Sequence, residues 1–118
     1  MADHQFIDAL EESNEVDLTV VGRRSGKAST RRVWFVRAEG KVQLVPIHGT
    51  DSDWYRNVEA APTVRLGAGG RDVEARAIPV DDAQRVASIV DAFKAKYGTE
   101  TFERLYPKPD AAVEVSLD

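Results

Sequence analysis

Cysteine is absent from the 118 residues. That excludes disulfide scaffolds, zinc–thiolate centres, iron–sulfur clusters and cysteine nucleophiles, and it fits a reducing compartment. Long hydrophobic runs are absent too: the longest is about four residues, against about 20 for a helix that crosses a bilayer. Basic residues are missing from the first 17 positions, which carry six acids, so no secretory leader is expected and the cytoplasm is the expected compartment. Histidine occurs only twice, at His4 and His48, without a matching set of further ligands, so no metal site is expected.

What is present is the balance of a globular chain, 42% hydrophobic and 31% charged. A single domain over 1–118 is expected, large enough to bury about two thirds of its unfolded surface. The net charge of −4 argues against a nucleic-acid binder. Its distribution is uneven. Between Gly22 and Ala38 stand six basic residues, Arg23, Arg24, Lys27, Arg31, Arg32 and Arg37, and no acid; the other 10 basic residues face all 20 acids. An acidic chain with one short cationic segment has either a local anion site or a solvated basic face that balances the acidic N-terminus.

Hydrophobic periodicity predicts a short helix over 3–14, with Phe6, Ile7 and Leu10 on one side, then a strand over 16–22 that stops at the loop Gly22-Arg23-Arg24-Ser25-Gly26-Lys27. Alternation predicts one strand over 30–38, a tight turn at Glu39-Gly40 and a return strand over 41–47 in which Pro46 must sit at an end or edge. A helix over 51–61 follows the His48-Gly49-Thr50 loop and closes before Pro62. Strands over 63–66 and 72–80 form a second hairpin around Gly67-Ala68-Gly69-Gly70. A longer helix ends near Tyr97 with Gly98 as its C-terminal residue, a helical turn spans 102–106, and a last strand covers 111–117. Six strands joined mostly as hairpins, without strand–helix alternation, predict an α+β fold: a small, mainly β, antiparallel barrel with flanking helices.

The basic loop is not a P-loop, because three residues rather than four separate its glycines and Ala28 follows Lys27. Nor is it a nucleophile elbow, since Ser25 directly precedes Gly26. Two glycines still let backbone N–H groups approach an anion, and Arg23, Arg24 and Lys27 supply charge-assisted donors; the alternative is an exposed polar turn. Gly67-Ala68-Gly69-Gly70 has Asp72 where a dinucleotide fingerprint needs its third glycine, and reads as a hairpin. Trp54 and Tyr55, opening a helix after His48-Gly49, are placed to wall a flat aromatic ligand or to pack in the core, and Asn57 stands one turn beyond Asp53, where it could orient the preceding loop.

Taken together, four segments resemble the deazaflavin-dependent nitroreductases and quinone reductases: Thr19-Val20-Val21-Gly22-Arg23-Arg24-Ser25-Gly26-Lys27, Val33-Trp34-Phe35-Val36-Arg37, Trp54-Tyr55-Arg56-Asn57 and Ala61-Pro62. The resemblance implies a six-stranded split β-barrel of the flavin-binding type, whose cofactor is the deazaflavin coenzyme F(420) or, in related branches, FMN. It implies that Arg23, Arg24, Ser25, Gly26 and Lys27 hold the phosphate-bearing anionic tail, and that His48, Gly49, Trp54 and Asn57 lie by the ring, with Trp34 the alternative ring contact. Members usually carry Arg and Pro where this chain has Ser29 and Arg32, and often Lys-Gly where it has His48-Gly49. The implied activity is hydride transfer from reduced F(420) to a hydrophobic quinone, enone or nitro acceptor, with Tyr106 a substrate contact. No catalytic side chain is expected, because the cofactor carries the chemistry. A non-catalytic binder of flavin-like or lipophilic ligands on the same barrel is the alternative. Homodimerisation is possible in either case.

Overall fold

The structure, a computed structural model, describes residues 4–117. Its elements in chain order are α1 (His4–Glu11), β1 (Glu15–Val21), β2 (Ala28–Trp34), β3 (Val36–Ala38), β4 (Lys41–Leu44), a 3-10 turn at Gly49–Asp51, α2 (Asp53–Ala60), β5 (Thr63–Ala68), β6 (Arg71–Val80), α3 (Ala83–Tyr97), α4 (Thr99–Leu105) and β7 (Ala112–Ser116). All strand pairs are antiparallel, in the order β2-β1-β5-β6-β7-β4-β3. β6 joins the two halves: Arg71–Arg76 pairs with β5, and Ala77–Val80 pairs with β7.

Alternation in the sequence decides what each strand buries. On β1, Val16, Leu18 and Val20 point into the barrel while Asp17 and Thr19 point away. Val42 and Leu44 of β4 and Val113 and Val115 of β7 fill the same interior, closed by Phe6 and Leu10 of α1 and by Trp54, Tyr55 and Val58 of α2. A second core lies outside the barrel wall, where Val86, Ile89, Val90 and Phe93 of α3 pack with Phe102, Tyr106, Val36, Val45 and Ala112. β7 therefore separates two cores, and Glu114, on its outer face, is buried among Arg85, Gln43 and Lys41.

Seven strands form where six were expected, and Phe35 is the reason. The segment expected as one strand over 30–38 breaks there: β2 pairs with β1 at one end of the strand order, and β3 pairs with β4 at the other. A strand that changes partners leaves a residue whose backbone groups have no ladder partner. The Phe35 N–H donates to the Tyr97 hydroxyl at 3.1 Å. Its carbonyl lies 2.8 Å from that hydroxyl and accepts from Lys96 Nζ, also at 2.8 Å. The Tyr97 hydroxyl also reaches the Asn14 carbonyl at 2.6 Å, so one phenol ties the N-terminal turn, the strand break and α3 together. Lys96 lies 3.9 Å from the centre of the Phe35 ring, a cation–π contact on the same residue.

Other differences are at element ends. The second hairpin tightens to a two-residue Gly69-Gly70 turn with φ of 59° and 77°, which lengthens β5 to Ala68 and starts β6 at Arg71. Glu39 and Gly40 turn the other hairpin with φ of 53° and 77°. β4 stops at Leu44, two residues before Pro46, and the 102–106 turn is the end of a full helix, α4. Among the described residues no helix is long and apolar enough to cross a membrane.

The seam makes a direct prediction. Tyr97→Phe keeps the ring but strands the buried Phe35 N–H, so urea unfolding should show a loss of about 1–3 kcal/mol. A loss below about 0.5 kcal/mol would mean that the hydroxyl does not hold the strand break.

Candidate functional site

Because β2 is the last strand on its side, its free edge is available to form a wall. Four consecutive residues of that edge, Arg31, Arg32, Val33 and Trp34, line a cleft of about 480 Å³. Opposite them stand Val45, Ile47 and His48 from the chain after β4, Ser52, Asp53 and Trp54 at the start of α2, and Leu105 and Tyr106 at the end of α4. Most of this wall is apolar or aromatic. Ile47 and Leu105 are 48% and 42% exposed, and both stand on the cleft wall.

Each wall is held by specific bonds. Trp34 stacks on Tyr97 with ring centres 4.1 Å apart and planes within 8°. Tyr106 stacks on Phe102 at 4.5 Å, and burial, then the neighbouring Tyr97, holds its phenol pKa well above the usual range. The His48 N–H donates to Ser52 Oγ at 3.0 Å, fixing the turn ahead of α2. Gly49 is buried with φ of +58°, and a Cβ there would collide with the Asp110 carboxylate and the Lys108 carbonyl. Asp110 in turn accepts from the Thr50 N–H at 3.0 Å and the Thr50 hydroxyl at 3.1 Å. The 107–110 loop thus clamps the turn that carries His48.

A second cavity of about 400 Å³ adjoins the first, lined by Gly22, Arg23, Arg24, Ser25, Lys27, Ala28, Ser29, Arg31, Asp53 and Asn57. Arg31 and Asp53 line both. The basic loop is pre-shaped: the Gly22 N–H donates to the Lys27 carbonyl at 2.9 Å, and the Lys27 N–H to Ser25 Oγ at 3.1 Å. A Cβ on Gly22 would stand 2.6 Å from Ser25 Oγ, so a side chain there would make the Ser25 hydroxyl shift from its bond to the Lys27 N–H. Asn57 Oδ1 accepts from the Arg23 N–H at 3.1 Å and from the Arg23 guanidinium at 2.8 Å, docking the loop on α2. Arg23 also reaches Asp53, at 3.6 Å between charged groups. Arg24, Lys27 and Arg31 are exposed and have no acidic partner among the described residues.

Of the residues singled out in the sequence, the cleft gathers Trp34, His48, Trp54 and Tyr106, and the groove gathers Arg23, Arg24, Ser25, Lys27 and Asn57. Gly26 turns the loop with φ of +70°. Gly49 is not on the cleft wall; it is the buried anchor of the turn. Trp54 and Tyr55 are both buried in the barrel core, at 5% and 3% exposed, and of the two only Trp54 reaches the cleft wall. Arg23 is engaged with α2 rather than free. Sequence reasoning missed Arg31 as the junction residue, although it lay in the basic run, and missed Val33, Val45, Ile47 and Leu105, which gave no signal beyond hydrophobicity.

The model of the F420H(2)-dependent quinone reductase family matches residues 4–103. The chain belongs to this family. Its cofactor is accordingly F(420), and its reaction an F(420)-dependent reduction. Among solved structures, an F420-H2 dependent reductase (FDR-A) is 23% identical with a TM-score of 0.68, covering 87% of this chain and 94% of its own. A second, an F420 reductase, is 21% identical with a TM-score of 0.60, covering 97% and 93%. The heme storage protein HutZ from Vibrio cholerae is 16% identical with a TM-score of 0.74, covering 100% and 92%, and shows that the same split barrel is shared more widely. No curated protein matches the sequence.

Removing the bond that docks the loop gives a local test. In Asn57→Ala the Arg23 amide should lose its hydrogen-exchange protection, with a global stability loss of about 1 kcal/mol. Unchanged protection at Arg23 would show that the loop holds its shape without α2.

Proposed function

We propose that this protein passes a hydride from reduced F(420) to a quinone-type acceptor, holding the ring in the cleft and the anionic tail along the basic groove. The observation that carries this reading is the junction of two unlike cavities at Arg31 and Asp53. One is walled by Trp34, Trp54, Tyr106, Val33 and Val45, and the other carries Arg24, Lys27 and Arg31, cations with no acidic partner among the described residues. A molecule with a flat, largely apolar head and a polyanionic tail matches that division of chemistry, so the residues present fit the cofactor.

When bound, the reduced deazaflavin supplies the hydride. Everything else falls to the chain. Arg24, Lys27 and Arg31 neutralise the phosphate and carboxylates, while Gly22 and Gly26 let the loop backbone come close. Arg23 and Asn57 keep that loop seated on α2. Trp34 gives flat apolar surface, to which Trp54, 5% exposed, adds a small part, and the stacking of Trp34 on Tyr97 fixes its plane before a ligand arrives. Ile47 and Leu105, exposed on the cleft wall, favour a hydrophobic acceptor over a charged one. The cytoplasm is the proposed compartment, consistent with the absence of cysteine. Homodimerisation is proposed on the likeness to a structure described as a domain-swapped dimer, with a TM-score of 0.68.

The groove is open to solvent, which limits each charge contact to between the exposed value of about 0–1 kcal/mol and the shielded value of about 1.5–3 kcal/mol. Arg24→Ala, Lys27→Ala and Arg31→Ala should each weaken F(420) binding by about tenfold with little change in fold stability. Raising salt should weaken it further, while a tail-less deazaflavin should respond to neither change. Full affinity for F(420) in Arg24→Ala/Lys27→Ala would reduce the loop to a solvated turn and overturn the reading.

A further inference from the structure

A quinone that has received a hydride has gained two electrons and one hydrogen, and is one proton short of the hydroquinone. The hydride-transfer reading above leaves the source of that proton unassigned, and the present inference rests on that reading. The titratable and charged groups that face the cleft are Glu15 of β1, Arg31 and Arg32 of β2, His48, Asp53 of α2 and Tyr106. A carboxylic acid donates protons only in acid solution, and a guanidinium keeps its proton throughout. Tyr106 is 6% exposed, and its burial holds the phenol proton more tightly than usual. Arg32 is paired with Asp17 at 3.3 Å, and Asp53 stands 3.6 Å from Arg23. Behind the His48 turn, Asp51 is paired with Arg56 and Lys108, and Lys108 also with Asp110, so these groups compensate one another.

That leaves one side chain of the wall with the right chemistry. An imidazole is a proton-transfer group, and this one is both on the cleft wall and exposed to water. Its backbone is fixed twice over, by the N–H bond to Ser52 Oγ and by the buried Gly49 that follows. We propose that the protonated imidazole of His48 is the general acid that delivers this proton to the acceptor oxygen. As the hydride arrives, the acceptor gains its new bond to hydrogen with both electrons. A His48 N–H bond then breaks, an acceptor O–H bond forms, and the neutral imidazole takes a proton from the water it is exposed to. The reductant is the reduced deazaflavin; no other co-reactant is needed.

The test compares two acceptors in anaerobic single turnovers with saturating reduced F(420). A naphthoquinone needs the proton; N-methylacridinium accepts a hydride and needs none. In His48→Gln the ratio of the quinone rate to the acridinium rate should fall by about 10²-fold. The wild-type quinone rate should decline as pH rises, because the acid form of the donor is consumed, and the variant should lack that decline. In His48→Ala, free imidazole in the buffer should restore quinone reduction. Without cofactor, the naphthohydroquinone added to the protein should shift the His48 ring-nitrogen resonances in an NMR titration, a readout independent of turnover. A rate ratio within about threefold of wild type, with the same pH profile, would overturn the role of His48 while leaving hydride transfer standing. Failure of the wild type to reduce either acceptor would overturn the hydride-transfer reading and this inference with it.

Discussion

The unladdered backbone of Phe35 is the constraint on which the rest of the molecule depends. A continuous strand over that segment would keep β2 and β3 in one ladder. Breaking it sends β3 to β4 and leaves β2 with a single neighbour. The cost would be two buried orphan groups, and the Tyr97 hydroxyl with Lys96 offsets it. The same Tyr97 offers its ring face to Trp34. A single α3 side chain therefore both stabilises the split in the barrel and sets one wall of the cleft that the split opens.

Electrostatics then divides the site. Most cations of the 22–38 segment could have been neutralised by an acidic chain, and some are: Arg23 by Asp53, Arg32 by Asp17 and Arg37 by Glu11. Those pairs fasten the segment to α2, β1 and α1. Arg24, Lys27 and Arg31 are left over, and they stand along one groove. The local positive field survives within a chain of net charge −4 because its acids lie elsewhere or are already paired. Hydride delivery by a deazaflavin asks no nucleophile of the protein, which agrees with the absence of cysteine and of a nucleophile elbow in the sequence.

Much of this was legible in the sequence, for identifiable reasons. Period-two alternation over Val16, Leu18 and Val20, and helical spacing over Val86, Ile89, Val90 and Phe93, report burial directly. The basic loop was visible as composition, and Asn57 as a residue one turn into a helix, so the docking of one on the other was within reach. The strand break was not, because alternation continues unbroken through Val33, Phe35, Trp34 and Val36; the two faces simply point to two different cores. Gly49 looked like part of a ring-contacting loop, whereas its positive φ and its packing under Asp110 are tertiary facts that no local pattern carries. Arg31 became the junction only once β2 proved to be an edge strand.

The central claim is that cleft and groove receive one molecule. It is tested most directly by following the amide and indole N–H resonances of the protein as oxidised F(420) is added. The account predicts that the indoles of Trp34 and Trp54 and the amides from Gly22 to Arg31 all shift, and that every one of them saturates along the same binding curve. Shifts confined to one cavity, or two sets that saturate at different concentrations, would contradict it.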